Sequence, residues 1–450
     1  VWFRRDLRLT NNPAWSAAVA AHADVVALYV LDPRARSWAG TLRARQHAAE
    51  LHALDRALAE VGGRLLVRSG VPAEVVPTVA RRWPDAQLYW NDDVSPYAQA
   101  RDAAVVAGLD RPPRTWWGHI VLPPGSVLTN EGSVPLVFGA FHRRWSSTPW
   151  DPWPSDDPAV PSAAQVGDDP GDGLPAATDD PPRPAGEGAA DEALRRFIER
   201  AEGYPDGRDD LAHPVTSELS VALHFGTISA REVAIRVGTD TPARAAFVRQ
   251  LAWRDWYAHL LHARPELVGR SLRPEYDDVA WVDDQRELDA WKAGTTGYPL
   301  VDAAMRELAA TGTIHNRARM VAASFLVKDL LIDWRVGERH FRRHLLDSDV
   351  AQNVGNWQWV AGTGPDAAPY FRVFNPVTQS RKHDPEGAYL RKWLPELAGL
   401  DDRAIHAPWE APPLELAAAG VELGTTYPEP VVDHGAARER TIAAYQEVRA

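Results

Sequence analysis

The sequence has no cysteine and only two methionines among its 450 residues. The lack of cysteine excludes disulfides, iron–sulfur clusters, thiolate metal sites and thiol nucleophiles. No run of about 18 apolar residues occurs, so no segment reads as a helix spanning a bilayer. No GxGxxG follows the first strand-like stretch, which removes the signature of a dinucleotide-binding first strand. Internal repeats are absent too. The chain opens on VWFRRDLRL with neither initiator Met nor signal peptide, so we expect a few residues to precede it, and the lack of cysteine fits a cytoplasmic protein.

What remains is ordinary in bulk: 45% hydrophobic and 24% charged residues, enough chain for two or more cores. The net charge of −12 is local. Residues 151–192 hold 11 acidic residues against one basic residue, Arg183, and nine prolines, leaving 50 acids and 48 bases elsewhere. That composition predicts an exposed interdomain linker, so the net charge says little about a binding face.

Before the linker, strand-like runs at 25–31, 64–70 and 87–90 alternate with helical spacing at 42–62 and 71–83. This pattern predicts an open parallel α/β sheet, Rossmann-like, with helices on both faces. After about residue 190, β-branched runs nearly vanish and long amphipathic patterns at 244–265 and 317–346 predict an all-helical half, which holds nine of the 19 tryptophans. The expected division is 1–124 (α/β), 125–189 (acidic, Pro-rich linker) and 190–450 (helical).

The most telling stretch is DVAQNVGNWQWVAGTGPDAAPYFRVFNP, residues 349–376. It offers indoles, amides and glycines at 355, 362 and 364 where a core helix would need periodic aliphatics. We read it as an aromatic loop suited to a flat ligand with hydrogen-bonding edges. In TSELSVALHFGTIS (216–229) the Thr-Ser pair followed by Glu suggests a helix N-cap, and a helix N-terminus with hydroxyls nearby suits phosphate. Alone, such a cap more often serves only its helix.

Taken together, FRRDLRL (3–9), LDP (31–33), TSELSVALHFGTIS, QLAWRDWY (250–257), IHNRARM (314–320), LVKDLLIDWR (326–335) and residues 349–376 resemble the photolyase/cryptochrome family in order and spacing, over essentially the whole chain. Within it, the resemblance is to class I enzymes acting on cyclobutane pyrimidine dimers.

That resemblance implies an N-terminal antenna domain and a helical domain holding FAD in a folded conformation. Tyr204, Thr216, Ser217, Glu218, Leu219 and Ser220 match the positions around its phosphates and ribityl chain, with Arg254 a phosphate partner. Arg319 and Asp347 match a salt bridge beside the isoalloxazine, with Asn316 nearby. Asp349 matches the residue at a ring edge, and Asn353 the residue facing flavin N5, where a neutral amide favours the N5-protonated, reduced forms. Trp357, Trp334 and Trp281 match an electron relay from flavin to surface. For each alone, core packing would be the plainer reading.

On the substrate side, Trp253 and Trp359 match the indoles that wedge a flipped-out dimer. Asn316, Arg317 and Met320 match further pocket or phosphate contacts, and Arg372 and Lys382 match residues reaching backbone phosphates. The branch acting on (6-4) photoproducts carries histidines where Asn316 and Met320 stand here. Gln250 departs from the pattern, since cyclobutane-dimer photolyases generally carry Glu there. A primary amide can still recognise the pyrimidine edge but cannot transfer a proton.

The implied chemistry is light-driven electron transfer from excited reduced FAD to dimer-containing DNA, by a monomer with no membrane partner and no metal. For the antenna, WNDDVSPYAQARD (90–102) resembles the 8-hydroxy-5-deazaflavin type rather than the folate type. Asp93 matches a contact, with Arg8 and Asp32 as helpers. Asp93 could equally cap a helix starting at SPYAQAR, and a chain without an antenna, or with a flavin there, stays open. The rival function is a blue-light cryptochrome; we expect no signalling extension after AAYQEVRA (443–450).

Overall fold

Successive residues in the first strands face opposite cores, and both cores are apolar. In β1 (Trp2–Phe3), β2 (Ala27–Leu31) and β3 (Leu65–Ser69), Phe3, Ala27, Leu31, Leu65 and Val67 join one cluster, while Trp2, Leu28, Val30 and Leu66 join another. A strand buried on both faces must be covered by helices on both sides. Helices Pro13–Ala21 and Thr41–Glu60 cover the first face through Ala14, Trp15, Leu51, Leu54 and Leu58. Helices Pro72–Ala80 and Pro96–Ala107 cover the second through Val76, Val79 and Val105.

The three strands are parallel in the order β1-β2-β3, with Trp2 opposite Leu28 and Ala27 opposite Leu65. A second parallel pair joins β4 (Tyr89–Asn91) to β5 (Arg114–Trp116). The α/β reading of this half is thus observed, with its strands in two ladders among the described residues. Trp2 meets Trp90 edge to face at 5.4 Å between ring centroids, so an aromatic contact joins the ladders.

The computed structural model describes residues 1–153, 169, 171–177, 180–367, 369 and 371–448. The central part of the expected acidic linker lies outside the described residues. By packing, the chain forms two units, one of Val1–Pro205, Ser217–Pro265 and Leu346–Gln352, the other of Asp206–Thr216, Glu266–Leu345 and Asn353–Ala450. These bounds group residues 217–265 with the α/β part, where the expected organisation placed them in the helical half. Asp255 explains the grouping: fully buried in helix Pro242–Ala263, it accepts from the Val121 and Leu122 amides and from the Trp145 indole.

The second unit is helical among its described residues, and here the pattern at 317–346 does not form one helix. Helix Asn316–Ser324 runs into a π turn at Phe325–Asp329, and Leu331 takes a left-handed conformation (φ 53°). Asp333 then caps a new helix, Trp334–His344, by accepting from the Arg335 amide at 2.9 Å. Apolar spacing carries on through this break, which is why periodicity alone misses it.

The aromatic-loop reading of 349–376 also needs correction. Residues Val350–Ala361 form a helix, with irregular chain only beyond it. Val354, Trp357, Val360 and Ala361 are buried, so an indole fills a place on the core stripe normally held by an aliphatic.

Candidate functional site

Within the first unit, helix Pro242–Ala263 starts at the Thr241 cap with Pro242 in its first turn. Gln250, Trp253, Arg254 and Tyr257 follow at spacings that put them on one face. Trp253 lies flat on Phe138, centroids 3.7 Å apart and planes 14° apart, and meets Trp256 edge-on at 5.2 Å. Arg249 covers Phe138 at 5.2 Å from the ring centroid. The result is a half-buried indole wall with a cation behind it. The Gln250 amide donates back to the Ala246 carbonyl at 3.2 Å.

Arg254 extends into a buried charge cluster. Its guanidinium donates to the carbonyls of His119 and Leu223 and lies 4.0 Å from Asp349. Asp349 is tied more closely to Arg5, at 2.5 Å, and Arg5 also reaches Asp93 at 3.4 Å. Burial works against ionising Asp349, yet Arg5, Arg254 and the Gln352 amide outweigh it and hold the carboxyl well below the usual range. Asp93 is held low in the same way, against burial, chiefly by Arg5. Burial, with Arg5 adding to it, pushes His224 down to about 3, and burial likewise holds His119 at about 3. The cluster is a fixed set of charges flanked by neutral imidazoles.

The local fold depends on close approach. Gly226 ends helix Ser220–Phe225 in the left-handed region (φ 72°), and a Cβ there would overlap the Arg5 carbonyl. The expected cap at 216–218 does not form. Leu219 occupies the N-cap position without a side-chain bond, and Glu218 is itself left-handed (φ 55°). The Ser217 hydroxyl instead accepts from the Leu219 amide at 3.4 Å, and Ser220 and Glu218 are exposed. Tyr204 packs edge-on against Phe197 and Phe247 with its ring buried.

One antenna assignment needs revision. Arg8 is fully buried and donates to the carbonyls of Asn11, Gly226 and Gly118, so it staples backbone. Asp93, half-buried, pairs with Arg5 and accepts from the Ser95 amide at 2.9 Å, while Ser95 caps helix Pro96–Ala107. Asp32 caps the short helix Pro33–Ser37 and accepts from the Tyr97 hydroxyl, while Trp38, 46% exposed, stands edge-on to Tyr97 at 4.8 Å.

In the second unit, Asn353 donates to the Glu338 carbonyl at 3.0 Å and to its carboxylate at 2.8 Å. Glu338 in turn pairs with Arg342 one helical turn on, at 2.7 Å. Burial raises the Glu338 pKa while Arg342 opposes that rise. Both amide hydrogens being spent, the Asn353 side chain offers a ligand only its Oδ1, an acceptor. That matches a protonated ring nitrogen, so this residue fits a reduced flavin. Trp357 lies where Gly337 leaves room, since a Cβ at 337 would overlap the indole, and it packs edge-on against Phe341 at 5.0 Å and Trp291 at 6.3 Å.

Between the two tryptophans of this helix, Gln358 is buried and spans residues 267–272 through the Leu267 and Arg270 carbonyls and the Leu272 amide. That clamp fixes the helix rotation. Trp357 and Trp359, about 200° apart around the axis, then face nearly opposite ways, the first buried and the second half-buried. Among the described residues no ring stacking joins Trp357, Trp334 and Trp281 to one another. Trp334 is fully buried and Trp281 meets Tyr445 edge-on at 6.0 Å.

On helix Asn316–Ser324 the Asn316 amide contacts the Met320 sulfur at 3.7 Å across one turn, and Arg317 pairs with Asp209 at 2.7 Å. Arg319 donates to the Ile314 carbonyl at 2.9 Å, and Asp347 offers its own carbonyl to the Asp349 amide at 2.7 Å. Arg372 and Lys382 are exposed. Arg5, Phe138, Gly337, Glu338 and Gln358 had no role assigned from sequence. The Glu338–Arg342 spacing was a legible signal; the others needed the fold.

A cleft of about 710 Å³ in the first unit, lined by Val1, His22, Trp83 and Leu88 among others, sits at the amino ends of the strands. Sheets of this kind bind ligands at the carboxyl ends, and the cleft holds none of the site residues expected from the sequence. Among the described residues no cluster of metal-ligating side chains occurs, and no helix is long and apolar enough to cross a membrane.

Two family models match the chain, the DNA photolyase model over residues 1–160 and the model of the FAD binding domain of DNA photolyase over residues 247–447. A deoxyribodipyrimidine photo-lyase of Agrobacterium fabrum is 39% identical across the whole chain and 98% of the relative. The crystal structure of a bacterial class III photolyase from Agrobacterium tumefaciens superposes with a TM-score of 0.89 at 37% identity, covering 100% of this chain and 97% of that one. An archaeal photolyase from Sulfolobus tokodaii, solved with two FAD molecules, gives 0.83 at 30% identity, covering 99% of each chain. The chain belongs to the DNA photolyase family.

Proposed function

We propose that this protein is a deoxyribodipyrimidine photo-lyase that splits cyclobutane pyrimidine dimers in DNA using blue light. The observation that carries this reading is Asn353, held by Glu338 with only its carbonyl oxygen left for a ligand. A carboxylate there would repel electron density on a reduced ring, whereas this amide accepts from its N–H.

FAD, when bound and reduced, supplies on excitation the electron that opens the cyclobutane ring and takes it back afterwards. The chain's own residues bind, orient and shield. Tyr204, Thr216, Ser217, Leu219, Ser220, Arg254, Arg319 and Asn353 are the residues we assign to the cofactor, with Asp347 and Asp349 setting charge. Asp349 is locked by Arg5 before any ligand arrives, so its charge needs no reorganisation. Trp253 and Trp359 supply indole faces for an extruded pyrimidine dimer, Gln250 reads its polar edge, and Asn316, Arg317, Met320 and Arg372 complete the contacts to lesion and phosphates.

Trp357, Trp334 and Trp281 form the path by which oxidised FAD is photoreduced. We assign the protein to the cytoplasm as a monomer working at the nucleoid. For the antenna we favour 8-hydroxy-5-deazaflavin over folate, with Asp32 and Asp93 as its contacts, joined by Trp38 and Tyr97 in place of Arg8.

The test is direct. The FAD-loaded protein is reduced, mixed with DNA carrying thymine dimers and illuminated with blue light, and dimer loss is measured. Loss that needs both light and reduced FAD is the expected result. Reduced, illuminated protein that leaves every dimer intact would instead support a photoreceptor.

A further inference from the structure

Gln358 sits between Trp357 and Trp359 on helix Val350–Ala361 and is 1% exposed. A primary amide presents two N–H donors and a carbonyl acceptor in one plane. Here every one of those groups is engaged. Nε2 donates to the Leu267 and Arg270 carbonyls, each at 2.9 Å, and Oε1 accepts from the Leu272 amide at 3.0 Å. The chain beyond the helix then closes over the residue. The Gln358 carbonyl accepts from the Thr363 and Gly364 amides at 3.0 and 3.1 Å, and a Cβ at Gly364 would lie 2.8 Å from the Gln358 Cβ. Neither the repair reading nor the three-tryptophan relay gives Gln358 a part.

Other bonds hold other parts of this helix. Asn353 ties its first half to Glu338, and Lys328 and Tyr445 both donate to the Ala361 carbonyl at its end, at 2.8 and 2.7 Å. Those anchors fix where the helix starts and stops; Gln358 fixes how the stretch between them is turned. Successive residues lie about 100° apart around a helix, so Trp357 and Trp359 stand about 100° to either side of Gln358. Any rotation at Gln358 therefore swings both indoles together. Trp357 has little room for it, wedged against Gly337 and Phe341. Trp359, half-buried, is carried along on the other side.

We propose that Gln358 is a positioning residue for both halves of the reaction, aiming Trp357 into the electron relay and Trp359 at the lesion through one set of three hydrogen bonds. This rests on the reading of Trp357 as a relay member and of Trp359 as a wall for the dimer. Gln358 acts through the helix it holds. Methionine in its place keeps the length of the side chain but leaves two carbonyls and an amide without their partner, which a buried site tolerates poorly. Because one anchor serves both rings, loosening it costs photoreduction and lesion binding in the same variant. Loss of either indole costs only one of them.

The experiment compares FAD-loaded wild type, Gln358→Met, Gly364→Ala, Trp357→Phe and Trp359→Ala, together with the double variant of Gln358→Met and Trp359→Ala. Photoreduction of oxidised FAD is followed under steady blue light. Affinity is measured in the dark, by titrating chemically reduced protein with DNA carrying one thymine dimer. Gln358→Met and Gly364→Ala should each photoreduce about tenfold more slowly and bind dimers about tenfold more weakly, since a 1 Å misplacement can cost about a hundredfold. In the Trp359→Ala background, Gln358→Met should weaken dimer binding no further, the ring it aims being gone, yet still slow photoreduction. A lower melting temperature with both properties unchanged per FAD-loaded molecule would make Gln358 merely structural and overturn the inference. Loss of one property alone, or equal weakening of binding with and without Trp359, overturns it as well. Trp359→Ala that binds dimers like wild type, or Trp357→Phe that photoreduces like wild type, overturns the reading of that indole and the inference with it. Gly364→Ala presses on Gln358 from outside the helix and leaves its amide intact, so it carries the test where Gln358→Met fails to fold.

Discussion

Both amide hydrogens of Asn353 go to a single residue, Glu338, one to its carbonyl and one to its carboxylate. Glu338→Ala removes the charged acceptor, an interaction of about 1.5–3 kcal/mol, and frees the amide to rotate. Under anaerobic illumination the variant should still bind FAD but accumulate reduced flavin at least about tenfold more slowly, in proportion to that loss. A reduction rate equal to wild type would show that the orientation of Asn353 does not matter.

Gly337→Ala tests whether Trp357 needs its present seat. The added Cβ would overlap the indole, and overpacking of this kind costs about 1–3 kcal/mol. We expect a lower melting temperature together with slower photoreduction. Trp357→Phe, which keeps the volume roughly, should abolish photoreduction yet leave repair by chemically reduced enzyme largely intact. Loss of both activities in Trp357→Phe would deny the relay its separate role.

Much of this was legible in the sequence, for definite reasons. The α/β half announced itself because strands buried on both faces must be apolar nearly throughout, as at 27–31 and 65–67. The helix at 242–263 was visible from its spacing, and its cap and proline fix its start. Residues 350–361 misled because an indole and a clamped glutamine stand where aliphatics are expected, and tertiary contacts made a helix of them. The break at 331–333 was hidden for the opposite reason, apolar periodicity running on through a left-handed leucine. Arg8 was misplaced because a motif gives residue types and order, but not which carbonyls a guanidinium will find inside the fold.

Acid should weaken the first unit through His119 and His224. Both are neutral in the folded chain with pKa values near 3, against about 6.5 when unfolded. The unfolded state therefore binds more protons between these values, so their contribution is complete above pH about 6.5 and is lost as pH falls toward 3. His224→Gln should flatten the dependence of the unfolding midpoint on pH across that window, by up to about one proton of uptake. A slope unchanged from wild type would place the acid lability elsewhere.

Gln250 and the phosphate contacts separate by their responses to base and salt. Gln250→Glu is expected to alter lesion affinity or turnover and to introduce a carboxyl step in the pH profile. A variant identical to wild type in all three would end the idea that this position tunes repair. Binding of dimer-containing DNA should weaken steeply with salt, and Arg372→Ala should lower that slope by about one.

The face-to-face seat of Trp253 on Phe138 has a consequence for the energetics of recognition. An indole pressed at 3.7 Å against a buried ring, with Trp256 at its edge, has few rotamers to give up when a base arrives. The ordering cost on the protein side is settled during folding, and preorganised surfaces bind with less of their gross energy cancelled. Discrimination then falls mainly to the DNA. A damaged pair, already poorly stacked, loses little on leaving the helix, while an intact pair loses more than a rigid wall returns.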